Sequence, residues 1–97
     1  MERTEIVLNA NQRGEVQLFS DDRKAGKMDI SVAEDKLTVY HTEVNPEYEG
    51  KGFAKLLLEK LVSYARENDL KIVPLCPYVH AQFKRHPEEY ADVWFKS

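Results

Sequence analysis

HTEVNPEYEGKGFAKLLLEKLVSYAREN, residues 41–68, decides the fold. It begins at the end of a β-rich run, turns at Asn45-Pro46, passes a Gly-x-Gly and enters a long amphipathic helix. Pro46 has no N–H for a strand ladder and biases Asn45 toward an extended or turn conformation, so the strand stops there. From about Lys51 onward, Ala54, Leu57, Leu58, Leu61 and Ala65 recur at helical spacing, with Val62 beside them. Lys55, Glu59, Ser63, Arg66 and Glu67 fall mostly off that stripe, and Lys55 and Glu59 stand at i,i+4. Asn68-Asp69 closes the helix, with Asn68 expected in the left-handed cap conformation. A helix entered in this way suits an anion. Its N-terminus presents unpaired N–H groups and the positive end of a dipole. Gly50 and Gly52 carry no side chain, so a phosphate oxygen can approach those groups closely. We read the turn as a cradle for a diphosphate.

Outward from this stretch, the preceding chain reads as strands. Leu37 to Val44 is β-rich. Lys24 to Ala33 alternates, with Met28, Ile30 and Val32 on one face, and Glu15 to Ser20 alternates with Val16 and Leu18. Polar turns at residues 21–23 and 34–36 are short, which implies an antiparallel meander of three strands. Glu5 to Ala10 is a first strand or an arm. After the helix, Lys71 to Leu75 is a short buried-type strand, so strand, helix and strand form a parallel crossover. Pro74 and Pro77 bracket its end. Tyr78 to His86 reads as a helix with Val79 and Phe83 at i,i+4. His86-Pro87-Glu88-Glu89 starts another, since proline and acids suit a first turn. Trp94 and Phe95 dock the C-terminal end on the body.

Length and composition narrow the function classes. Ninety-seven residues, 42% hydrophobic and 32% charged, describe one folded domain over residues 1–97. Acids and bases are interspersed to a net charge of −3, so nucleic acid is not expected as the main partner. No apolar run approaches the ~20 residues a bilayer span needs, and residues 1–15 contain no signal-peptide core. A cytoplasmic protein with no membrane association is expected. The one cysteine, Cys76, excludes an internal disulfide and a cysteine-rich zinc site.

Two nucleotide motifs are absent. There is no GxxxxGK[ST], and GxGxxG fails because Lys55 stands at its last position. The stretch instead resembles the signature of the GNAT superfamily of acyl-CoA-dependent N-acyltransferases, Gln/Arg-x-x-Gly-x-Gly/Ala between a strand and a helix. Gly52 and Ala54 match its last two fixed positions, and Gly50 fits the common Arg-Gly-x-Gly form. Glu49 stands where the family has Gln or Arg. HTEV (41–44), NPEYEGKGFA (45–54), PLCPYV (74–79) and RHPEEY (85–90) are similar, in that order, to a minimal single-domain GNAT-like subgroup, over about residues 37–92.

The resemblance implies a three-layer α/β/α fold with a mixed, mainly antiparallel sheet and a splayed parallel strand pair. It implies acetyl-CoA as cofactor, with the diphosphate facing Glu49, Gly50, Lys51, Gly52, Phe53 and Ala54. The backbone at Val44 and its neighbours would pair with the pantetheine amides. Tyr78 would lie near the leaving thiolate, either as a proton donor or as a packed aromatic. No metal is implied.

The residues add candidate chemistry. His41 and Glu43 are two apart on one strand and so share a face, with Leu37 and Val39 expected to precede them on that face. Either can take a proton from an amine, directly or through water. An imidazole titrates near pH ~6.5 in model peptides, which suits a base. The alternative is a polar pair at a strand end. Cys76 is either an acyl-accepting nucleophile, which needs a base such as His41 or His80 against it, or a small buried hydrophobe. Lys84 and Arg85 either reach the CoA phosphates or form a solvated face. The expected activity is acetyl transfer to an amine by direct attack in a ternary complex. The alternatives are a CoA-binding module with little or no catalysis, and an interaction domain with no ligand.

Overall fold

The structure, a computed structural model, describes residues 1–96. Four strands come first: β1 (Glu2–Leu8), β2 (Arg13–Ser20), β3 (Arg23–Ala33) and β4 (Lys36–Val44). A 3-10 turn, Pro46–Tyr48, leads to α1 (Phe53–Glu67), then β5 (Lys71–Pro74), α2 (Pro77–Arg85) and α3 (Pro87–Tyr90). Spatial order in the sheet follows chain order. The first four strands are antiparallel, and β5 runs parallel to β4 through the α1 crossover. The mixed sheet and the parallel pair are as expected. The N-terminal run is a full strand rather than an arm, paired with β2 from Glu2↔Ser20 to Leu8↔Gly14.

Periodicity explains how the layers pack. Phe53, Leu57, Leu58, Leu61, Val62 and Ala65 form the buried stripe of α1. They meet Val16, Leu18, Met28, Ile30, Leu37 and Val39 from the sheet, all buried. Each large apolar side chain so removed from water contributes about 1.5–3 kcal/mol before entropy is counted. The other face of β2 and β3 carries Glu15, Gln17, Lys27, Asp29 and Ser31, all half-buried. Over these strands the described chain is two layers deep. The C-terminal segment docks as expected. Trp94 bridges Ile72 in parallel, and the Phe95 N–H donates to the Ile72 carbonyl at 2.9 Å.

Two details of backbone conformation correct the sequence reading. The left-handed residue after α1 is Asp69 (φ +54°), whereas Asn68 has φ −111°. Both residue types tolerate that region, so composition alone could not choose between them. The second correction lies in β4. Asp29 pairs with His41 and Ile30 with Val39, so Tyr40 is an extra residue, a β-bulge. Directly opposed residues share a face. Leu37 and Val39 therefore lie with Val32 and Ile30 on the core face, while His41 and Glu43 lie opposite Asp29 and Lys27 on the far face. The expected row running from Leu37 and Val39 into His41 and Glu43 does not exist, because one inserted residue reverses every later side chain.

Charge holds the polar face together. Glu15 accepts hydrogen bonds from Lys24 Nζ (2.6 Å), Gln17 Nε2 (3.0 Å) and Lys27 Nζ (3.4 Å). These donors, Lys24 first, hold its carboxyl down to about 2 against an ordinary 4.5. A depressed acid contributes stability that is present above pH 4.5 and lost as pH falls through 2. Screening at the exposed lysine ends limits the effect to about 1–2 kcal/mol. Thermal melts should therefore show a drop between pH 4.5 and 2 that Glu15→Gln largely removes. At pH 7 the same variant should melt about 5 °C lower than the parent. A variant with the parent's acid slope would show that this cluster contributes nothing.

Candidate active site

The parallel ladder between β4 and β5 runs only from Lys36↔Lys71 to Val39↔Pro74. The Cys76 N–H donates to the Val39 carbonyl at 2.9 Å, and there the two strands part. From Tyr40 to Val44, β4 is paired with β3 alone. The result is a gap with one closed end and one free strand edge. Pro74 and Pro77 help to make it, because neither has an N–H to continue a ladder.

The glycine turn lies beyond the open end of this gap. Gly50 (φ +82°) and Gly52 (φ +75°) are both left-handed, which is the reason for glycine at these positions. A Cβ added at either would meet nothing within 4 Å, so the space in front of the turn is open. Gly52 is the N-cap of α1 and makes no side-chain cap. The first bond of the helix runs from the Leu56 N–H to the Gly52 carbonyl at 3.3 Å. Among the described residues, the N–H groups from Gly50 to Lys55 find no backbone acceptor. A continuous row of free donors at the positive end of a 15-residue helix suits a polyanion. The backbone thus fits the diphosphate of the expected cofactor on donor number and on open space.

The side chains around the turn are placed as follows. Glu49 is exposed and its N–H is taken by the Pro46 carbonyl at 3.2 Å, so the free row begins at Gly50. Its carboxylate can therefore stay in water, away from an anion. Lys51 is exposed, with Nζ 5.9 Å from the Tyr48 ring centre. Phe53 is buried and stacks on Tyr48 at 5.5 Å, so only its N–H faces the turn's function. Ala54 is half-buried. Val44 is half-buried on the core face, opposite Gly26.

His41 and Glu43 are brought together. His41 Nε2 lies 3.3 Å from Glu43 Oε1, and both side chains are 56% exposed. Glu43 also borders a cavity of about 250 Å³ with Lys24, Gly26, Lys27 and Asn45. Cys76 is not brought to either candidate base. It is 2% exposed, and its Sγ lies 3.1 Å from Thr42 Oγ1. Thr42 sits opposite Met28 on the core face, the reverse of His41. His80 is edge-on to Trp94 at 6.2 Å. No Cys–His pair is assembled among the described residues.

Thr42 was missed in the sequence. The signal was a change of phase: Leu37 and Val39 are the apolar positions before the bulge, and Thr42 and Val44 the β-branched ones after it. Tyr78 is half-buried near the same place. Burial pushes its phenol up, with Cys76 and Glu59 adding to the effect, so it stays a proton donor at neutral pH. Lys84, Arg85 and His86 are exposed. His86 caps α3 through its backbone, with no side-chain bond. No group of three His, Cys, Asp or Glu side chains that could hold a metal occurs among the described residues. Among the described residues, no helix is long and apolar enough to cross a membrane.

Solved structures share this architecture. A GCN5-like protein from Staphylococcus aureus, solved by NMR, superposes with a TM-score of 0.67 at 25% identity, over 96% of this chain and 89% of its own. The ribosomal-protein-S18-alanine N-acetyltransferase from Escherichia coli gives 0.63 at 21% identity, over 68% of this chain. The chain spans only 43% of that enzyme's length. The PaiA N-acetyltransferase from Thermoplasma acidophilum, solved in complex with coenzyme A, gives 0.60 at 15% identity, over 80% of this chain and 50% of its own. No curated protein matches the chain. The model of the GCN5-related N-acetyltransferase family matches residues 15–93, and with the splayed β4–β5 pair and the glycine-entered helix inside that span, the chain belongs to this family.

Proposed function

We propose that this protein, acting as one domain over residues 1–97, transfers an acetyl group from acetyl-CoA to an amine by direct attack in a ternary complex. The observation that carries this reading is the free N–H row from Gly50 to Lys55, lying beyond a strand edge that is unpaired from Tyr40 to Val44. The row holds the diphosphate. Backbone groups around Val44 bond the amides of the pantetheine arm, and a free N–H on the same edge polarises the carbonyl. When bound, acetyl-CoA supplies an activated thioester. The amine forms a C–N bond as the C–S bond breaks. Its proton goes to Glu43 or His41, and the leaving sulfur takes one from Tyr78.

The acceptor is an amine on a small molecule, a peptide or a protein lysine, and the reaction belongs to the cytoplasm. Two measurements test the core of this reading. Coenzyme A should raise the melting temperature and shift the amide resonances of residues 49–54. Acetyl-CoA should turn over against a panel of amines. Binding without turnover would leave a coenzyme-binding module in place of an enzyme.

The burial of Cys76, bonded to a hydroxyl rather than to an imidazole, favours direct attack over an acyl-enzyme. Cys76→Ser should therefore retain acetyl transfer to within about tenfold, and no acylated protein should accumulate in a mass spectrum. A covalent route would instead lose on the order of 10⁴-fold.

A further inference from the structure

We propose that the far face of the sheet at β4 and β5 is the docking surface for the acceptor, and that the acceptor is a primary amine carried on an apolar body. This deepens the transferase reading above and rests on it. Four large apolar side chains are exposed among the described residues: Met1, Val7, Tyr40 and Leu75. Two of them meet at one place. Tyr40 follows Val39 and Leu75 follows Pro74, and Val39↔Pro74 is the last pair of the parallel ladder. Tyr40 is 42% exposed and Leu75 60%, on either side of the point where the strands part.

The surface continues across the sheet. Ser31 lies on the far face and pairs with Thr38, which pairs in turn with Val73, so all three share that face. Tyr40 Oη meets Ser31 Oγ at 2.7 Å, which fixes the tyrosine ring over the same face. Trp94 bridges Ile72 and lies against the Phe83 and His80 rings on the helix side. The next residue, Phe95, therefore turns to the far face, half-buried like Val73, with Lys36 Nζ 5.0 Å from its ring centre. An apolar patch this contiguous marks a surface that something covers.

What covers it follows from its neighbour. His41 is the residue after Tyr40, and the His41–Glu43 pair lies on the same face. The patch thus has a carboxylate at one end and apolar side chains beyond it. An amine reaches the site from water as an ammonium ion, the charge complement of Glu43, and its body then lies over Tyr40 and Leu75. A polar body would leave those side chains as exposed as they are without it.

The test compares phenethylamine, ethanolamine and a polar lysine peptide as acceptors, on the parent, Leu75→Ser and Tyr40→Ser. The first two amines are of similar basicity, so their ratio reads the body and not the nitrogen. The parent should favour phenethylamine over ethanolamine by about 100-fold in kcat/KM. Each serine variant should cut that ratio about tenfold, through the KM for phenethylamine rather than through kcat. The two variants lie on different strands, so a folding failure in one leaves the other to decide. A parent that uses ethanolamine or the peptide as well as phenethylamine overturns the proposal alone. So does a ratio unmoved within twofold in the folded variants. A parent that runs as a dimer on gel filtration and becomes a monomer in Leu75→Ser gives the patch to a second copy and also overturns it. A parent that acetylates none of the three amines and is not stabilised by coenzyme A overturns the transferase reading, and the proposal with it.

Discussion

Gly52→Asp is expected to weaken coenzyme A binding by about 100-fold or more while costing the fold little. The two effects separate because of where Gly52 sits. Its φ of +75° is strained for most side chains, but aspartate tolerates the left-handed region better than any β-branched residue. A Cβ there meets nothing within 4 Å, so no clash adds to that strain. The folding cost should stay near 1–2 kcal/mol. The new carboxylate, however, stands at the mouth of α1 among the free N–H groups from Gly50 to Lys55. It occupies the space a phosphate oxygen needs and repels the charge that oxygen carries. A 100-fold loss corresponds to about 2.7 kcal/mol, a modest demand for removing a charge-assisted anion site. Melting with and without coenzyme A reads both numbers in one experiment. A folded Gly52→Asp protein that keeps the parent's ligand-induced shift would remove the glycine turn from the binding site.

The parts of this site that could be read from the sequence were the ones with a local period. The α1 stripe of Leu57, Leu58, Leu61 and Ala65 repeats at 3.6 residues, and all four are buried. The meander was legible because its turns are short and its strands alternate. The gap was legible only through Pro74 and Pro77, which cannot continue a ladder. The bulge was harder to see. Tyr40 is a good strand residue and carries no mark of being the extra one, and alternation read straight through it placed His41 and Glu43 on the wrong face. The Thr42–Cys76 contact joins residues 34 apart in the chain, and no local pattern encodes it. The end of α1 failed for a third reason: Asn68 and Asp69 are nearly interchangeable as left-handed residues, and the choice between them depends on how the chain enters β5. Local preference placed the glycine turn at the entry to α1. Tertiary pairing decided which side chains face it.

In the proposed reaction the turn and the strand edge act through backbone groups, so the proton transfers must come from side chains, and His41 and Glu43 are the candidates whose loss should reduce turnover most. Glu43→Gln is expected to lower kcat by about 10²–10³, with KM for acetyl-CoA unchanged because the donor is held elsewhere. His41→Gln should cost a similar amount. The double variant should cost little more than either single one, because two groups at 3.3 Å that serve the same proton transfer act as a unit. Both side chains are 56% exposed, so the melting temperature should move by no more than about 2 °C, and lost activity cannot be assigned to lost fold. At position 43 glutamine keeps the size of the side chain and can still hydrogen-bond His41, but it cannot accept the amine's proton, so the loss reports the base. The far-face position sharpens the test. Had the pair lain with Leu37 and Val39, its members would be packed against the core side of the sheet, half-buried as Thr42 and Val44 are, and their replacement would confound stability with catalysis. On the open face, beside the cavity Glu43 shares with Lys24 and Lys27, an incoming amine can reach them from solvent. If the double variant turns over at the parent's rate, the proton leaves by water alone, and the pair is a surface bond between neighbouring side chains.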